Sequence, residues 1–469
     1  MGEIRKKIVV VGGGITGLSA AFYMQKEAKE NGLPVDVILI EAANQLGGKI
    51  QTVRKNGFVI ERGPDSFLIR KKSMRTLAEE VGVFGELVKN ATGQAYIYLK
   101  GALHPIPGGS IMGIPTEIEP FVKTDLFSLA GKIRAAGDLV LPRKASEGDQ
   151  SLGGVFRRRL GNEVVENLIE PLLSGVYAGN IDQMSLEATF PQFAVVEKNY
   201  RSLILGMKKT SPKKPSATNA KKEGAFYTFR NGLETIVDAI ETHLDKSTIM
   251  KGVRVVAIQK QDGKNRLILN NGEVIDADAV ILTTGHAVAS QLFAEHQLLQ
   301  DIGQIPTTSV ATVALAFPKD AIVQEQDGTG FLVARNSGYS ITACTWTHRK
   351  WPTSTPDGKV LIRAFVGRPG EEAIVNLPDA EIEKVVLEDL GKLIHIQGKP
   401  DFSVITRWKE DRPQYRVGHK ARITQARTEL KANFPMVKLA GASYDGVGLP
   451  DCVDQGKAAV KEVLEELFE

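Results

Sequence analysis

The sequence predicts an α/β protein with a Rossmann-type dinucleotide-binding domain, an antiparallel-sheet substrate domain and a separate helical domain. Three observations predict this class. A glycine-rich loop follows an all-apolar strand near residue 10, and a second unit of strand, glycine loop and helix lies at the far end. Between them, alternating apolar and polar strands dominate from about 300 to 430.

Length and composition limit the possible domain number and function classes before any motif is considered. A chain of 469 residues exceeds what one hydrophobic core usually spans, so two or three domains are expected. The net charge of +4 is small for this length and argues against a nucleic-acid binder. Cys344 and Cys452 lie far apart, which argues against a disulfide framework or a cysteine zinc site. With no long apolar run and no leader pattern, the sequence predicts a cytoplasmic protein without a transmembrane segment.

The first recognisable unit is a βαβ arrangement. An apolar strand at 8–11 leads into the loop 12–17, then a helix over 18–29 and a second strand over 35–40 that ends at Glu41. The glycine pattern alone is a weak signal, but strand, glycines, helix, strand and terminal acid in this order predict a dinucleotide site.

Three glycines of this loop have distinct structural roles. Gly12 permits the tight turn, Gly14 lets the backbone approach a pyrophosphate, and Gly17 lets the helix pack close to the strand. The helix N-terminus attracts phosphate charge, and Glu41 accepts hydrogen bonds from ribose hydroxyls, which disfavours NADP. The residues predicted to contact the dinucleotide in this unit are Gly12, Gly13, Gly14, Ile15, Thr16, Gly17, Glu41 and Ala42.

Two loops after the acid favour FAD over NAD. Gly47, Gly48 and Lys49 extend the cradle for a longer dinucleotide, and Lys49 is placed to neutralise phosphate charge. In the loop 63–67, Gly63 lets the backbone come close to a flat ring. The predicted contacts in these loops are Gly48, Lys49, Gly63, Pro64, Asp65 and Ser66.

The far end of the chain repeats the order of strand, glycine loop and helix. A strand over 437–441 is followed by the loop 442–450 and by a helix over 452–467 with a mostly apolar stripe. The N-terminus of that helix is predicted to face the flavin pyrimidine end, where negative charge develops on reduction. The predicted contacts are Gly441, Gly446, Val447 and Gly448.

These motifs resemble a known group of enzymes over nearly the whole chain. The runs 12–18, 46–49 and 63–67 are similar to the amine-oxidase-like flavoprotein superfamily. Narrower motifs resemble the protoporphyrinogen and coproporphyrinogen oxidases within it: Glu-Pro-Leu-Leu-Ser-Gly-Val-Tyr-Ala-Gly at 170–179, Gln-Phe at 192–193 and the glycine-rich run 446–456.

The resemblance implies a porphyrinogen oxidase of haem biosynthesis with non-covalent FAD. It implies O2 as acceptor, removal of six electrons in three cycles with hydrogen peroxide as product, and coproporphyrinogen III as favoured substrate, with protoporphyrinogen IX also accepted. It further implies FAD contacts from Val255, in a strand predicted over 252–256, and from Trp408. The product would pass to a ferrochelatase, no nucleic-acid partner is expected, and the oligomeric state is left open.

The cofactor performs the hydride step, so the protein mainly has to provide a wide apolar pocket for the porphyrinogen. The resemblance implies that the carbonyl of Gly175 faces the macrocycle and stabilises positive charge on the reacting ring, with Val176 packed on a pyrrole. Thr342 and Phe365 are further candidate lining residues, although Phe365 is equally interpretable as a core residue.

The propionate groups of the porphyrinogen also need cationic side chains as partners. Arg70 and Lys71 directly follow the loop 63–67 and are predicted to form a propionate clamp, with Lys71 carried over from the family. The alternative is an exposed basic start of a helix. Gly175 and Lys71 are thus the candidate catalytic residues, and no metal is expected.

The chain order predicts domains assembled from separate segments. Helices are expected over 126–141 and 153–173, where Arg157, Arg158 and Arg159 suggest a solvated surface. The predicted boundaries are 1–75, 225–300 and 430–469 for the FAD-binding domain, 76–110 and 301–429 for the substrate domain, 111–205 for the helical domain and 206–224 for a mobile Lys/Pro-rich loop.

Three rival functions stay open at this point. An amine oxidase usually places two aromatic rings against the flavin, whereas the C-terminal loop here offers Val447, Leu449 and Pro450. A carotenoid desaturase would favour membrane-binding segments. A non-catalytic binding protein on the same fold would not need complete phosphate loops at both ends of the chain.

Overall fold

The computed structural model describes residues 5–142, 148–210, 224–322 and 327–469. The strands in these ranges are β1 Lys6–Val11, β2 Val35–Glu41, β3 Thr52–Lys55, β4 Phe58–Glu61, β5 Phe67–Leu68, β6 Leu87–Lys89, β7 Tyr96–Leu99, β8 Ala102–Pro105, β9 Ser110–Ile111, β10 Ile114–Pro115, β11 Phe226–Phe229, β12 Ile249–Lys251, β13 Val255–Gln261, β14 Lys264–Leu269, β15 Val274–Ala277, β16 Ala279–Leu282, β17 Thr307–Pro318, β18 Gly330–Val333, β19 Ile341–Trp346, β20 Lys359–Val366, β21 Phe402–Pro413 and β22 Val437–Leu439.

The α-helices in the same ranges are α1 Ile15–Glu30, α2 Ser73–Glu80, α3 Ile118–Lys123, α4 Leu129–Ala136, α5 Leu152–Leu160, α6 Asn162–Val164, α7 Glu170–Tyr177, α8 Leu186–Thr189, α9 Pro191–Tyr200, α10 Leu203–Thr210, α11 Glu234–His243, α12 His286–Leu292, α13 Gln300–Gly303, α14 Thr347–Lys350, α15 Asp379–Ile394, α16 His419–Asn433 and α17 Leu449–Phe468. A π-helix, Val165–Ile169, joins α6 to α7. The 3-10 helices are Phe84–Glu86, Gly137–Leu139, Lys246–Thr248, Ala294–His296, Lys319–Ala321, Arg335–Ser337, Pro352–Ser354 and Glu372–Asn376.

A five-stranded parallel sheet forms the dinucleotide-binding region, in the order β12, β2, β1, β16, β22. β1 is apolar on both faces because both faces are covered. Ile8 and Val10 belong to one core with α1, α11 and α17, whereas Val9 and Val11 belong to a second core with β14, α12 and α16. The predicted Rossmann-type unit is confirmed.

A seven-stranded sheet forms the second layer, in the order β21, β17, β20, β19, β18, β7, β8. All its pairs are antiparallel except β18 with β7. The predicted strands around 310, 340 and 360 are β17, β19 and β20, which confirms the antiparallel sheet. α15 packs on one face of this sheet through residues that include Ile382, Val386 and Leu390.

Helices α3 to α10 surround a separate apolar core, as predicted for the helical region. The two long helices predicted there are broken, however. The segment 126–141 contains only α4 and a 3-10 helix, and the segment 153–173 is interrupted at Gly161. Gly161 has φ +86°, which takes the backbone out of the helical conformation and separates α5 from α6.

Arg159 corrects the prediction that the charges of this region are solvated. Its side chain is fully buried. Its Nη2 lies 2.7 Å from the Oε1 atom of Glu197, and its Nη1 lies 3.7 Å from Oδ1 of Asp138. The arginine is therefore an internal connector between helices, since a charge of this kind is buried only when it is paired.

Two other predicted segments differ from the structure. Residues 252–254 are not in a strand, because Gly252 has φ +74° and turns the chain between β12 and β13. Residues 206–210 of the predicted Lys/Pro-rich loop complete α10, where Met207 is buried. The rest of that loop, from 211 to 223, lies outside the described residues. The predicted domain boundaries stay a prediction.

Candidate active site

The loop 12–17 ends β1 and starts α1. Gly12 has φ +109°, and a Cβ atom on Gly17 would lie 1.8 Å from the carbonyl oxygen of Gly12. Gly14, by contrast, faces open space, because a Cβ atom there would have no heavy atom within 4 Å. Gly14 is also the N-cap of α1, which has neither a side-chain cap nor an acidic residue in its first turn. An uncapped helix N-terminus beside open space fits a phosphate-containing ligand.

Glu41 stands where β2 ends, beside this loop. Its Oε2 atom accepts a hydrogen bond from the backbone N–H of Gly13 at 2.6 Å, and its Oε1 atom accepts one from Ala43 at 2.7 Å. These two bonds hold the carboxylate and leave lone pairs for further donors. A cavity of about 600 Å³ opens here, and the lining includes Gly12, Glu41, Ala42, Val255 and Thr284. The structure thus brings Val255 to the predicted adenosine side.

A second glycine pair covers the first loop. The N–H of Gly47 donates to the carbonyl oxygen of Gly13 at 2.8 Å. A Cβ atom on Gly48 would lie 3.2 Å from the Cα atom of Gly14. The two loops therefore approach through the backbone alone, as the predicted cradle requires.

Lys49 has a protein partner that its sequence neighbours do not reveal. Its Nζ atom lies 3.0 Å from Oδ2 of Asp411 and also donates to the carbonyl oxygen of Asp411 at 2.7 Å. Burial lowers the pKa of Lys49, and the carboxylate of Asp411 opposes that shift. The contact of Lys49 with phosphate stays a prediction.

The terminal glycine loop lies against the start of α1. Gly441 has φ +123°, and a Cβ atom there would lie 3.5 Å from Oγ1 of Thr16. A Cβ atom on Gly456 would lie 2.5 Å from the carbonyl oxygen of Thr16, so α17 packs closely on α1. Gly448 is the N-cap of α17, again without a side-chain cap. The structure therefore brings together the glycine loops predicted at 12–17 and 441–448.

Gly446 and Val447 of the terminal loop face the helical region. The N–H of Gly446 donates to the hydroxyl of Tyr415 at 2.9 Å. Val447 packs against the core of the helical region. The terminal loop thus touches both the dinucleotide-binding sheet and the helices, and its contacts with FAD stay predictions.

The loop 63–67 is held by the seven-stranded sheet. The carbonyl oxygen of Gly63 accepts a hydrogen bond from the guanidinium of Arg363. The carbonyl oxygen of Arg62 accepts from Nε1 of Trp408 at 3.1 Å and from Oγ1 of Thr312 at 3.0 Å. The structure therefore places Trp408, predicted as a cofactor contact, beside the glycine of this loop.

Buried charges lie beneath the same loop. Oδ2 of Asp65 lies 2.8 Å from Nζ of Lys350 and 4.0 Å from Nη1 of Arg363. Burial raises the pKa of Asp65, but these two cations outweigh it and hold the pKa below its usual range. Burial raises the pKa of Glu61 to about 7, against hydrogen bonds from Leu233 and Thr52. The Asp65 carboxylate thus binds within the protein, and Ser66 donates to it at 2.7 Å.

A second cavity, of about 360 Å³, lies between α7 and the seven-stranded sheet. Gly175 and Val176 line it from α7, and Thr342 and Phe365 line it from β19 and β20. They come from three separate segments of the chain, and the structure brings all four residues to one cavity. We name it the α7 cavity. Its volume lies in the range of small-molecule sites.

Charged residues that the sequence interpretation missed also line the α7 cavity. They are Glu170, Arg335, Arg368 and Arg412. Burial raises the pKa of Glu170, and Arg335 and Arg368 oppose that shift. Arg368 comes shortly after β20, so a cation just beyond a predicted strand was an available signal. Arg335 had no comparable signal.

Arg70 and Lys71 do not line the α7 cavity. Lys71 forms an ion pair with Asp451 in the first turn of α17, and Arg70 is exposed. The pair connects the segment after loop 63–67 with the terminal glycine loop. The clamp role of Arg70 and Lys71 stays a prediction.

The described ranges contain neither a membrane-spanning helix nor a cluster of metal ligands. No helix there is both long and apolar enough to cross a bilayer. No group of three or more His, Cys, Asp or Glu side chains in the same ranges is placed to hold a metal ion.

The chain resembles known proteins over its full length. The family model described as flavin containing amine oxidoreductase matches residues 15–464. Coproporphyrinogen III oxidase of Bacillus subtilis is 52% identical and both chains are covered completely. The enzyme of the same name from Staphylococcus aureus is 43% identical over 98% of this chain and 100% of its own. A crystal structure of a protein from Exiguobacterium sp. 255-15 superposes with a TM-score of 0.88 at 41% identity, covering 99% of this chain and 100% of that one.

Proposed function

The chain belongs to the flavin-containing amine oxidoreductase family, and from this premise we propose that it oxidises coproporphyrinogen III to coproporphyrin III with O2 as acceptor. It is an FAD-dependent oxidase, and protoporphyrinogen IX is the proposed second substrate. The observation that carries the substrate proposal is the α7 cavity, in which an apolar wall meets several arginines. The relatives from B. subtilis and S. aureus, both named coproporphyrinogen III oxidase, support the same choice.

The residues around the three glycine loops fit FAD. The space at Gly14 and the uncapped start of α1 suit the pyrophosphate, the cavity at Glu41 and Val255 suits the adenosine half, and the uncapped start of α17 suits the flavin pyrimidine end. Bound FAD supplies a hydride acceptor that passes electron pairs to O2 and so yields hydrogen peroxide. The protein's task is to hold the macrocycle, to exclude water and to compensate charge.

The α7 cavity has the means for these tasks. Val176, Val310, Leu332 and Phe365 form an apolar wall for the pyrrole rings. We assign to the carbonyl oxygen of Gly175 the stabilisation of positive charge on the ring that loses a hydride. Each cycle removes one hydride and one proton from the substrate and reduces one O2 to hydrogen peroxide, so three cycles complete the aromatic porphyrin.

We place this reaction in the cytoplasm, where the two buried and free cysteines would stay reduced. The product, a porphyrin without metal, is the substrate class of a ferrochelatase. We propose that the product passes to such an enzyme.

Anaerobic reduction of the purified protein tests the function. We expect the bound flavin to lose its visible absorbance when coproporphyrinogen III is added, and to keep it when benzylamine or putrescine is added. Under air we expect three molecules of hydrogen peroxide for each coproporphyrin III formed. Bleaching by an amine with none by either porphyrinogen would contradict the proposal. A protein that takes up no FAD would contradict it as well.

A further inference from the structure

Arg335 and Arg368 reach the α7 cavity from one edge of the seven-stranded sheet. Arg335 opens the 3-10 helix after β18, and Arg368 follows β20. Both strands are antiparallel to β19, which lies between them, so they run in the same direction and end at the same edge. The sheet topology therefore brings the two guanidinium groups to one end of the cavity.

Much of the hydrogen-bonding capacity of this pair is unused. Nη2 of Arg335 donates to the carbonyl oxygen of Pro369 at 2.9 Å, which fixes the side chain. Nη2 of Arg368 lies 2.7 Å from Oε2 of Glu371, and its side chain is 13% exposed. The Nε atom of Arg368 is buried and has no partner in the part of the chain that the structure describes. In the described residues the contacts of both guanidinium groups use Nη2, which in Arg368 also donates to the carbonyl oxygen of Tyr339 at 3.4 Å, so the Nη1 groups retain donors for a ligand.

The neighbouring charges leave this end of the cavity positive. Among the described residues, Arg335, Arg368 and Arg412 line the α7 cavity against one carboxyl group, that of Glu170. Glu371 pairs with Arg368 from outside the lining, and its own side chain is 46% exposed. Burial raises the pKa of Glu170, and the nearby Arg335 and Arg368 oppose that shift.

The remaining wall of the cavity is mostly apolar, with Thr342 and Thr345 as polar side chains. A ligand for this space is therefore apolar over most of its surface and carries carboxylate groups that can reach the arginines. We propose that Arg335 and Arg368 form the subsite that binds the propionate carboxylates of the porphyrinogen. The inference rests on the proposed function and gives the carboxylates a binding site other than Arg70 and Lys71.

Arg335→Gln tests the subsite, with the free acid of coproporphyrinogen III compared with its tetramethyl ester. The free acid should show a KM raised about 10- to 100-fold, the range of one lost charge-assisted hydrogen bond, with a smaller change in kcat. Turnover of the ester should change little, because the ester offers no carboxylate. Arg368→Gln should behave in the same way with a smaller effect, since Arg368 already pairs with Glu371.

Binding of the product coproporphyrin III, followed by fluorescence, gives a measurement that needs no turnover. We expect weaker binding by Arg335→Gln and intermediate binding by Arg335→Lys, which keeps the charge and stays informative if the glutamine variant does not fold. Arg266→Gln is the matched control, because Arg266 on β14 pairs with Asp276 on β15 and does not line the cavity. We expect this control to match the native protein.

The two proposals fail in different ways. If the native protein oxidises neither porphyrinogen, the proposed function is wrong. A native protein that oxidises them, together with an Arg335→Gln variant of unchanged KM and unchanged product binding, overturns the subsite. An equal loss for the free acid and the ester would also overturn it, because the effect would then not depend on carboxylates.

Discussion

The dinucleotide-binding loops and the α7 cavity are built from different chemical groups. At the loops the surface is main chain, with Gly12, Gly14 and Gly48 where side chains would otherwise stand. At the α7 cavity the surface is side chain, with arginines among aliphatic and aromatic groups. At a main-chain surface, an added Cβ atom blocks the ligand sterically. At a side-chain surface, the loss of one charge weakens ligand binding by a limited amount. The two regions should therefore fail differently when mutated.

The largest effect is expected at two glycines of the first loop. Gly17→Ala should prevent stable folding, because its Cβ atom would lie 1.8 Å from the carbonyl oxygen of Gly12. Gly14→Val should fold, since the site has open space and an ordinary φ of −71°, yet FAD should bind at least about 100-fold more weakly. Thermal unfolding of the flavin-free protein and fluorescence titration with FAD separate the two outcomes. Native FAD affinity in Gly14→Val would remove the steric interpretation of this loop.

A smaller effect is expected at Glu61, which ends β4 just before the loop 63–67. Its folded-state pKa of about 7 exceeds the ordinary 4.5, so its contribution to stability is complete below pH 4.5 and is lost as the pH rises through 7. Relative to Glu61→Gln, the native protein should lose up to about 3 kcal/mol of unfolding free energy over this window. Urea denaturation at pH 4.5 and pH 7.5 measures this difference.

Glu79→Gln is the matched control for this experiment. Glu79 forms an exposed pair with Arg75, and its removal should leave the pH dependence unchanged. Parallel stability curves for the native protein and Glu61→Gln would show that the carboxyl of Glu61 has an ordinary pKa in the folded protein.

The smallest effect is expected at Lys71. Its pair with Asp451 is about one-third exposed, so Lys71→Ala should change the unfolding free energy by less than about 1 kcal/mol. If Lys71 binds a propionate, KM should rise more than kcat falls, because the lost interaction is with the carboxylate. Asp451→Asn, which releases Lys71 from its partner, should then lower KM. Steady-state kinetics that show no change of KM in either variant would limit carboxylate binding to the α7 cavity.

Local features of the sequence predicted the fold and the glycine loops, because their function depends on spacing within one short segment. The loop 12–17 and Glu41 are examples, and each lies where the βαβ pattern places it. The side-chain partners were not predictable in this way. Lys49 and Lys71 look free beside their glycine loops, yet they pair with Asp411 and Asp451, which only the closed fold brings near. Arg159 looked solvated for the same reason, since Glu197 lies on another helix.

The close contact of Gly456 with Thr16 has a consequence for biosynthesis. The ribosome makes α1 first and α17 more than four hundred residues later, so the earliest helix must wait for the last one. Until then, the apolar face of α1 lacks the part of its cover that α17 provides, and the terminal glycine loop is absent. We therefore expect flavin loading to follow synthesis of α17, and we expect the incomplete chain to be more prone to aggregation than the complete one.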